Sequence, residues 1–264
     1  PRDWRETPDE DCLRLHAGFF PHAELTEGKL RRAMALYYGT ISQIDMQTGR
    51  LVDALREKGL YDRTMIVYTA DHGEYLGSHH LLLKGNYMYD ALARVPLLIK
   101  YPGSEGAGTR RSGLVSGVDL APTILSVAGL SPASCMKGTA LGEHPEGSEI
   151  VFAETMGAGQ IMARTSARKL LLCRERETSR LFDLERDPDE MENLYDDSRY
   201  GDDRAALERE LAEWALFGSA SPVHLDENAP IIAAGDVPAR GGGWREEMRE
   251  YFRERMREHD GWRE

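Results

Sequence analysis

The feature that most constrains this chain is a change of period near residue 60. Upstream, apolar residues fall at Leu30, Met34, Tyr37, Ile41, Ile44, Leu51 and Leu55, with Thr48 filling the gap, so the spacing alternates four and three. That is one stripe of a long amphipathic helix, spanning residues 27–58. Gly59 follows Lys58 and supplies a stop, because glycine readily takes the left-handed backbone that closes a helix. Downstream, Met65-Ile66-Val67-Tyr68-Thr69 is a short apolar and β-branched run suited to a buried strand. A helix feeding a buried strand predicts an α/β fold.

The pattern continues with a second strand at Val95-Pro96-Leu97-Leu98-Ile99, proline standing at its start where a ladder donor can be spared. Residues 101–112 read as a loop, and Asp119 opens a helix that ends near Gly129. After a Gly- and Pro-bearing linker at 138–148 the pattern turns to short strands at 149–154, 160–164 and 169–173. The stretch Asp183–Glu213 holds 13 acidic and 4 basic residues and carries most of the net charge. Within it, Asp187-Pro188-Asp189-Glu190 lacks the glycine and closing glutamate of a calcium loop and reads as a turn before a helix at 203–216. Residues 218–243 read as a linker, and a last helix starts at Trp244. The organisation predicted is a core over 1–148, a small α+β unit over 149–217, and a linker with a terminal helix over 218–264.

Composition excludes several classes of function. With 41% hydrophobic and 30% charged residues the chain can bury a core. Its 33 basic against 45 acidic residues leave a net charge of -12, which argues against a nucleic-acid partner, since counterion release needs a basic face. A locally basic pocket for a small anion remains compatible with that charge. No apolar run approaches a membrane-spanning length. The opening Pro1-Arg2-Asp3-Trp4 is not a signal peptide and reads as a fragment or a processed chain. Cys12, Cys135 and Cys173 form no CxxC pair, so a structural zinc or redox motif is not expected. Asn86, Asn193 and Asn228 have no Ser or Thr two residues on, hence no glycosylation sequon, and a bacterial periplasmic or cytoplasmic location is favoured.

The residues that carry chemistry follow the first strand directly: Thr69-Ala70-Asp71-His72-Gly73. Ligands bind at the carboxyl ends of strands in open α/β sheets. A carboxylate and an imidazole leaving a rigid strand side by side can meet one cation. On residue types alone the alternative is a surface loop with a capping Asp71. His79, His80 and Lys84-Gly85 follow within a short stretch. A cation with a nearby lysine is what an anionic ester of sulfur or phosphorus needs, because both stabilise charge developing on its oxygens.

The chain resembles the sulfatase family of the alkaline phosphatase superfamily. The resemblance runs through Tyr37-Tyr38-Gly39, Ile44-Asp45, Gly59-Leu60, Thr69 to Gly73, His79, Lys84-Gly85 and Arg94-Val95-Pro96. It continues at Val118 to Leu125, Ala128-Gly129-Leu130 and Leu181 to Pro188 with Glu190 and Asn193-Leu194, covering roughly residues 30–216. It implies a partial alkaline-phosphatase-like α/β/α sandwich with a C-terminal antiparallel-sheet subdomain. The strands at 65–69 and 95–99 would then share one mainly parallel sheet, with helix 27–58 packed on its face. By the same resemblance Asp71 and His72 match two ligands of a divalent cation, usually Ca2+. On softness alone Mn2+ or Zn2+ would suit the histidine better. Lys84 matches the catalytic lysine that contacts the sulfate, His79 sits on the substrate side, and Arg94 reads as structural. The implied partner is a small anionic sulfate ester, and a homo-oligomer is compatible with the pattern.

The departures are informative. Sulfatases carry a Cys or Ser in a C-x-P-S-R or S-x-P-S-R motif that matures to the formylglycine nucleophile, and none of the three cysteines stands in it. The family's first metal-binding Asp pair is also absent, and Pro21-His22 lies too close to Tyr37 to match its histidine-bearing motif. Asp90 stands where the family often has Glu, and Ser78 where an acidic residue is usual. The expectation is therefore the C-terminal part of a sulfuric ester hydrolase, with the nucleophile in an upstream segment. On its own such a chain would be inactive and prone to association, with its helix stripe partly uncovered. A phosphonate monoester or phosphodiester hydrolase of the same superfamily is the first alternative. A non-catalytic binding module is the second.

Overall fold

A computed structural model describes residues 25–85, 87–133, 136–155 and 159–218, with isolated positions 250 and 254. The long periodic stripe forms helix α1, Glu27–Glu57. Thr26 caps its start, accepting from the Lys29 backbone N–H at 3.3 Å, and Glu27 pairs with Arg31 one turn on. Its end is closed by Gly59, at φ 62°, with the Gly59 N–H on Arg56 O at 3.0 Å and the Leu60 N–H on Leu55 O at 2.8 Å. Only Leu30 of this helix is buried, while Tyr37, Ile41, Ile44 and Leu51 are 40–69% exposed. The expected packing of this stripe on a sheet face is thus not made among the described residues, in line with the partly uncovered stripe anticipated above.

Strand β1, Ile66–Thr69, pairs with β2, Leu97–Lys100. The pairing is antiparallel, Ile66 opposite Lys100 and Thr69 opposite Leu97, which corrects the expectation of a parallel arrangement. The reason lies in the connection. A parallel pair needs a crossover long enough to return the chain to the starting end of the sheet. Among the described residues of 70–96 there is a single 3-10 turn at Ser78–His80 and the four-residue helix α2, Asp90–Ala93, but no long crossover helix, so the chain re-enters from the end at which β1 left it.

Lys100 fastens β2 to the turn that precedes β1. Its ammonium donates to the carbonyls of Tyr61 at 2.5 Å, Asp62 at 3.1 Å and Thr64 at 3.1 Å, above the Tyr61 ring. Lys100→Met keeps the apolar stem but removes the donor shared by three carbonyls. It is expected to lower unfolding stability by about 1–3 kcal/mol, read as a shift of the denaturant midpoint.

Helix α3, Leu120–Val127, is preceded by a reciprocal cap in which Asp119 accepts from the Ser116 backbone N–H at 2.8 Å. The chain then builds a four-stranded antiparallel meander. Its strands are β3 Val151–Thr155, β4 Gln160–Arg164, β5 Arg168–Cys173 and β6 Arg180–Asp183. The first three lie within two residues of the sequence reading; β6 was not read as a strand. Helix α4, Gly201–Glu213, covers one face through Leu207 and Leu211 against Ala163, Leu170 and Leu181. Side chains alternate across a strand. Met162, Leu171 and Phe182 therefore face the other way, onto Tyr75, Leu81, Tyr87, Tyr89 and Leu92. The sheet is a two-faced layer, and its second face supports the segment that follows β1.

Cys173 is buried as a free thiol. Cys12, Cys135 and Pro21-His22 lie outside the described residues, as does nearly all of the linker and terminal helix expected after Gly218. No described helix is long and apolar enough to cross a membrane.

Candidate active site

The site starts where β1 ends. The Asp71 side chain is 85% exposed and accepts from the His72 backbone N–H at 3.0 Å. His72 Nδ1 lies 2.8 Å from the Gly73 carbonyl oxygen. A carbonyl can only accept, so in the neutral ring Nδ1 carries the proton and Nε2 keeps its lone pair. That Nε2 lies 3.6 Å from Asp71 Oδ2. A hard anionic oxygen and an imidazole nitrogen thus converge on one side of the strand end, the ring held by a backbone acceptor as metal-ligating histidines are held. The pair suits a divalent cation as two donors. Among the described residues no group of three or more His, Cys, Asp or Glu gathers to complete a coordination shell.

Gly73 sits tightly against α2. Its N–H donates to Leu92 O at 2.7 Å, and a Cβ built there would lie 2.1 Å from Ala91 O. Any larger residue would push the turn off the helix.

Residues 74–83 form a closed loop. The Glu74 carboxylate accepts the backbone N–H groups of both Leu76 and Leu83, while the Tyr75 N–H donates to Leu83 O at 3.2 Å and the Gly77 N–H to Leu81 O at 2.7 Å. Burial pushes the Glu74 carboxyl up, against the pull of the two amides and of His72. Leu76, His79, His80 and Leu83 all take left-handed backbone, at φ 47°, 50°, 56° and 65°. Such conformations are costly for residues other than glycine and cluster at functional sites.

The sequence-derived residues fall as follows. Asp71 and His72 come together. Lys84 leaves from the stem of the loop, next to Leu83 and thus beside Glu74; it is exposed and makes no ion pair among the described residues. His79 is placed differently, stacked on Tyr89 with ring centroids 3.7 Å apart and planes at 10°. Tyr89 in turn stacks on Tyr87 at 5.5 Å, so His79 caps an aromatic column rooted in the core. Arg94 is exposed, and its N–H closes α2 on Asp90 O at 3.0 Å.

Sequence reasoning passed over the role of Glu74 and the ionic cluster behind α2, formed by Asp90, Arg164, Lys169 and Glu190. The signal for Glu74 was its place next to the Asp-His-Gly turn. Asp90 and Glu190 stood in matched motifs, and Lys169 was a cation at the head of an apolar strand run.

Residues 6–130 match the sulfatase family model. Arylsulfatase K of Bos taurus is 33% identical over 191 residues, 65% of this chain and 35% of its own length. The multifunctional alkaline phosphatase superfamily protein PehA of Trinickia caryophylli is 35% identical over 218 residues, 74% of this chain and 41% of its own. A solved structure of a protein bound to its substrate, D-glucosamine-2-N,6-O-disulfate, superposes with a TM-score of 0.64 at 31% identity, covering 70% of this chain and 40% of that one. The chain therefore spans about two-fifths of the length of the relatives it matches. On these matches, residues 6–130 carry the sulfatase family pattern, and the chain is similar to members of the alkaline phosphatase superfamily over about two-fifths of their length.

Proposed function

We propose that this chain contributes the cation-binding and sulfate-contacting side of the active site of a sulfuric ester hydrolase. The observation that carries the reading is the convergence of Asp71 Oδ2 and His72 Nε2, 3.6 Å apart, at the carboxyl end of β1. Asp71 and His72 would hold a divalent cation. Ca2+ is the proposed ion by kinship, with Mn2+ or Zn2+ the alternatives that imidazole softness favours. A cation bound there would act as a Lewis acid, polarising an oxygen of the ester group. The Gly73 carbonyl fixes the ring of His72, so its free nitrogen is oriented before any ligand arrives.

Lys84 would neutralise negative charge on the sulfate oxygens. Its exposure and the lack of an ion-pair partner among the described residues leave the ammonium free for that contact. His79 would line the substrate side of the loop, held by its stack on Tyr89. The nucleophile, a formylglycine in this family, does not arise from Cys12, Cys135 or Cys173, none of which stands in the required motif. The substrate class is a sulfate ester. A sulfated sugar is supported by the disulfated glucosamine of the structural relative, and an aryl sulfate by the name of the bovine one.

The test is turnover of nitrophenyl sulfate against nitrophenyl phosphodiester by the natural protein, with Lys84→Ala alongside. Sulfate should be the better substrate. Lys84→Ala should lower its turnover by about 10²–10³-fold, the range for one preorganised stabiliser of developing charge. Unfolding stability should change by under about 0.5 kcal/mol, as for an exposed residue. Preferential phosphodiester turnover, or a Lys84→Ala rate near wild type, would reject the reading.

A further inference from the structure

We propose that Asp90, Lys169 and Glu190 are positioning residues, through which the four-stranded sheet sets the orientation of the Asp71–His72 turn. The inference rests on the cation site proposed above and adds the device that aims it.

The turn does not hold itself. Its backbone lies on α2, with the Gly73 N–H on Leu92 O and no room for a side chain between Gly73 and Ala91 O. Yet α2 has four residues, too few to persist unaided, since a first helical turn costs more order than its few hydrogen bonds return. What fixes α2 comes from the sheet. The Asp90 backbone N–H donates to Glu190 Oε2 at 2.5 Å. The Asp90 carboxylate receives Arg164 on both oxygens, at 3.2 and 3.0 Å, and the Lys169 ammonium at 2.8 Å. Lys169 also reaches Glu190 Oε1 at 2.7 Å. Just upstream, the Met88 N–H donates to Gln160 Oε1 at 2.9 Å. The contacts form a chain: β4, β5 and the Glu190 turn hold Asp90, Asp90 starts α2, and α2 seats Gly73 beside the ligand pair.

The cluster is built at a cost. The Lys169 side chain is fully buried and that of Glu190 is 3% exposed. Burying charges in this way is unfavourable unless geometry and pairing are good, and two acids here meet two bases. Glu190 also adopts a left-handed backbone, at φ 60°, to turn its carboxylate inward. Burial pushes the Glu190 carboxyl up even with Lys169 beside it. Burial works on Asp90 in the same direction, but Lys169 and Arg164 outweigh it and hold that carboxyl below the ordinary aspartate range. An apolar pair of similar size could stabilise the fold at least as well. It could not accept the Asp90 N–H or receive its carboxylate, which is why the charged arrangement points to orientation rather than stability.

The experiment replaces the buried pair in the natural protein with Lys169→Met and Glu190→Met together. This leaves Asp90 paired with Arg164 and strands no charge. Two readouts follow: amide hydrogen exchange at Gly73 in metal-free protein, and affinity for Ca2+ and Mn2+ by calorimetry. The double variant should melt cooperatively. Its Gly73 amide should exchange at least about tenfold faster, as local opening becomes easier. Cation affinity should fall by about 10–100-fold, the range for groups that orient metal ligands. A folded double variant with both readouts unchanged overturns the proposal. Should it fail to fold, Asp90→Asn decides: it removes the anion that Arg164 and Lys169 grip at the start of α2 and leaves Glu190 opposite Lys169. Faster Gly73 exchange with weaker cation binding then supports the proposal, and wild-type values overturn it. Asp71→Asn separates the two claims. If it leaves cation affinity intact, the site itself is misassigned, while the Gly73 exchange of the sheet variants still judges the positioning role.

Discussion

Asp71→Asn and His72→Ala, made singly in the natural protein, are each expected to lower turnover of a sulfate ester by at least about 10²–10³-fold. Asparagine keeps the shape of Asp71 and can still accept from the His72 N–H, so the turn survives. What is lost is the anionic oxygen that faces His72 Nε2 at 3.6 Å. Alanine at 72 removes the oriented nitrogen and also the ring that binds the Gly73 carbonyl. Asp71 is exposed, so Asp71→Asn should leave unfolding stability within about 0.5 kcal/mol of wild type. Steady-state kinetics with cation titration measures the effect. Added cation should partly restore a variant that merely binds it more weakly. Rates within a few-fold of wild type in both variants would remove these residues from the site.

Gly73→Ala is the second large effect, and it arises from space. The new methyl would lie 2.1 Å from Ala91 O and 3.3 Å from Leu92 Cα, and both are backbone atoms that cannot swing aside. Either the turn lifts from α2, breaking the 2.7 Å bond from the Gly73 N–H to Leu92 O, or α2 moves against Tyr89 and the core beneath it. Overpacking of this kind costs about 1–3 kcal/mol, measurable by chemical denaturation. The effect on activity should exceed the effect on stability, because a displacement of about 1 Å at a catalytic constellation can cost on the order of 10²-fold in rate. A Gly73→Ala protein with native stability and native turnover would show that the turn does not rest on α2 as described.

Much of the local structure was legible. The alternating four-and-three stripe gave α1 nearly to its ends, and Gly59 marked its closure, because both signals come from backbone geometry that neighbouring residues impose. The runs at 160–164 and 169–173 emerged as β4 and β5 because they alternate about a two-faced layer. The direction of β2 was not legible. Strand patterns carry no sign of direction, and the parallel expectation came with the family resemblance rather than from the 27-residue connection itself. β6 carries no strand signal in the sequence because Arg180 and Asp183, both buried, flank only two apolar residues. For the site, Asp71 and His72 were visible because they are neighbours in sequence. The backing cluster was not, because Asp90 and Glu190 lie 100 residues apart and meet only through the fold. Lys169 only heads a strand run in the sequence, yet it is fully buried between two carboxylates.

The most direct test of the account is anomalous diffraction from crystals of the natural protein grown with Mn2+ and, separately, with Ca2+. The account predicts one cation within about 2.0–2.6 Å of an Asp71 carboxylate oxygen and of His72 Nε2, with the His72 Nδ1 still on the Gly73 carbonyl. A cation held elsewhere in the active site, with the Asp71 and His72 side chains turned away from it, would contradict it.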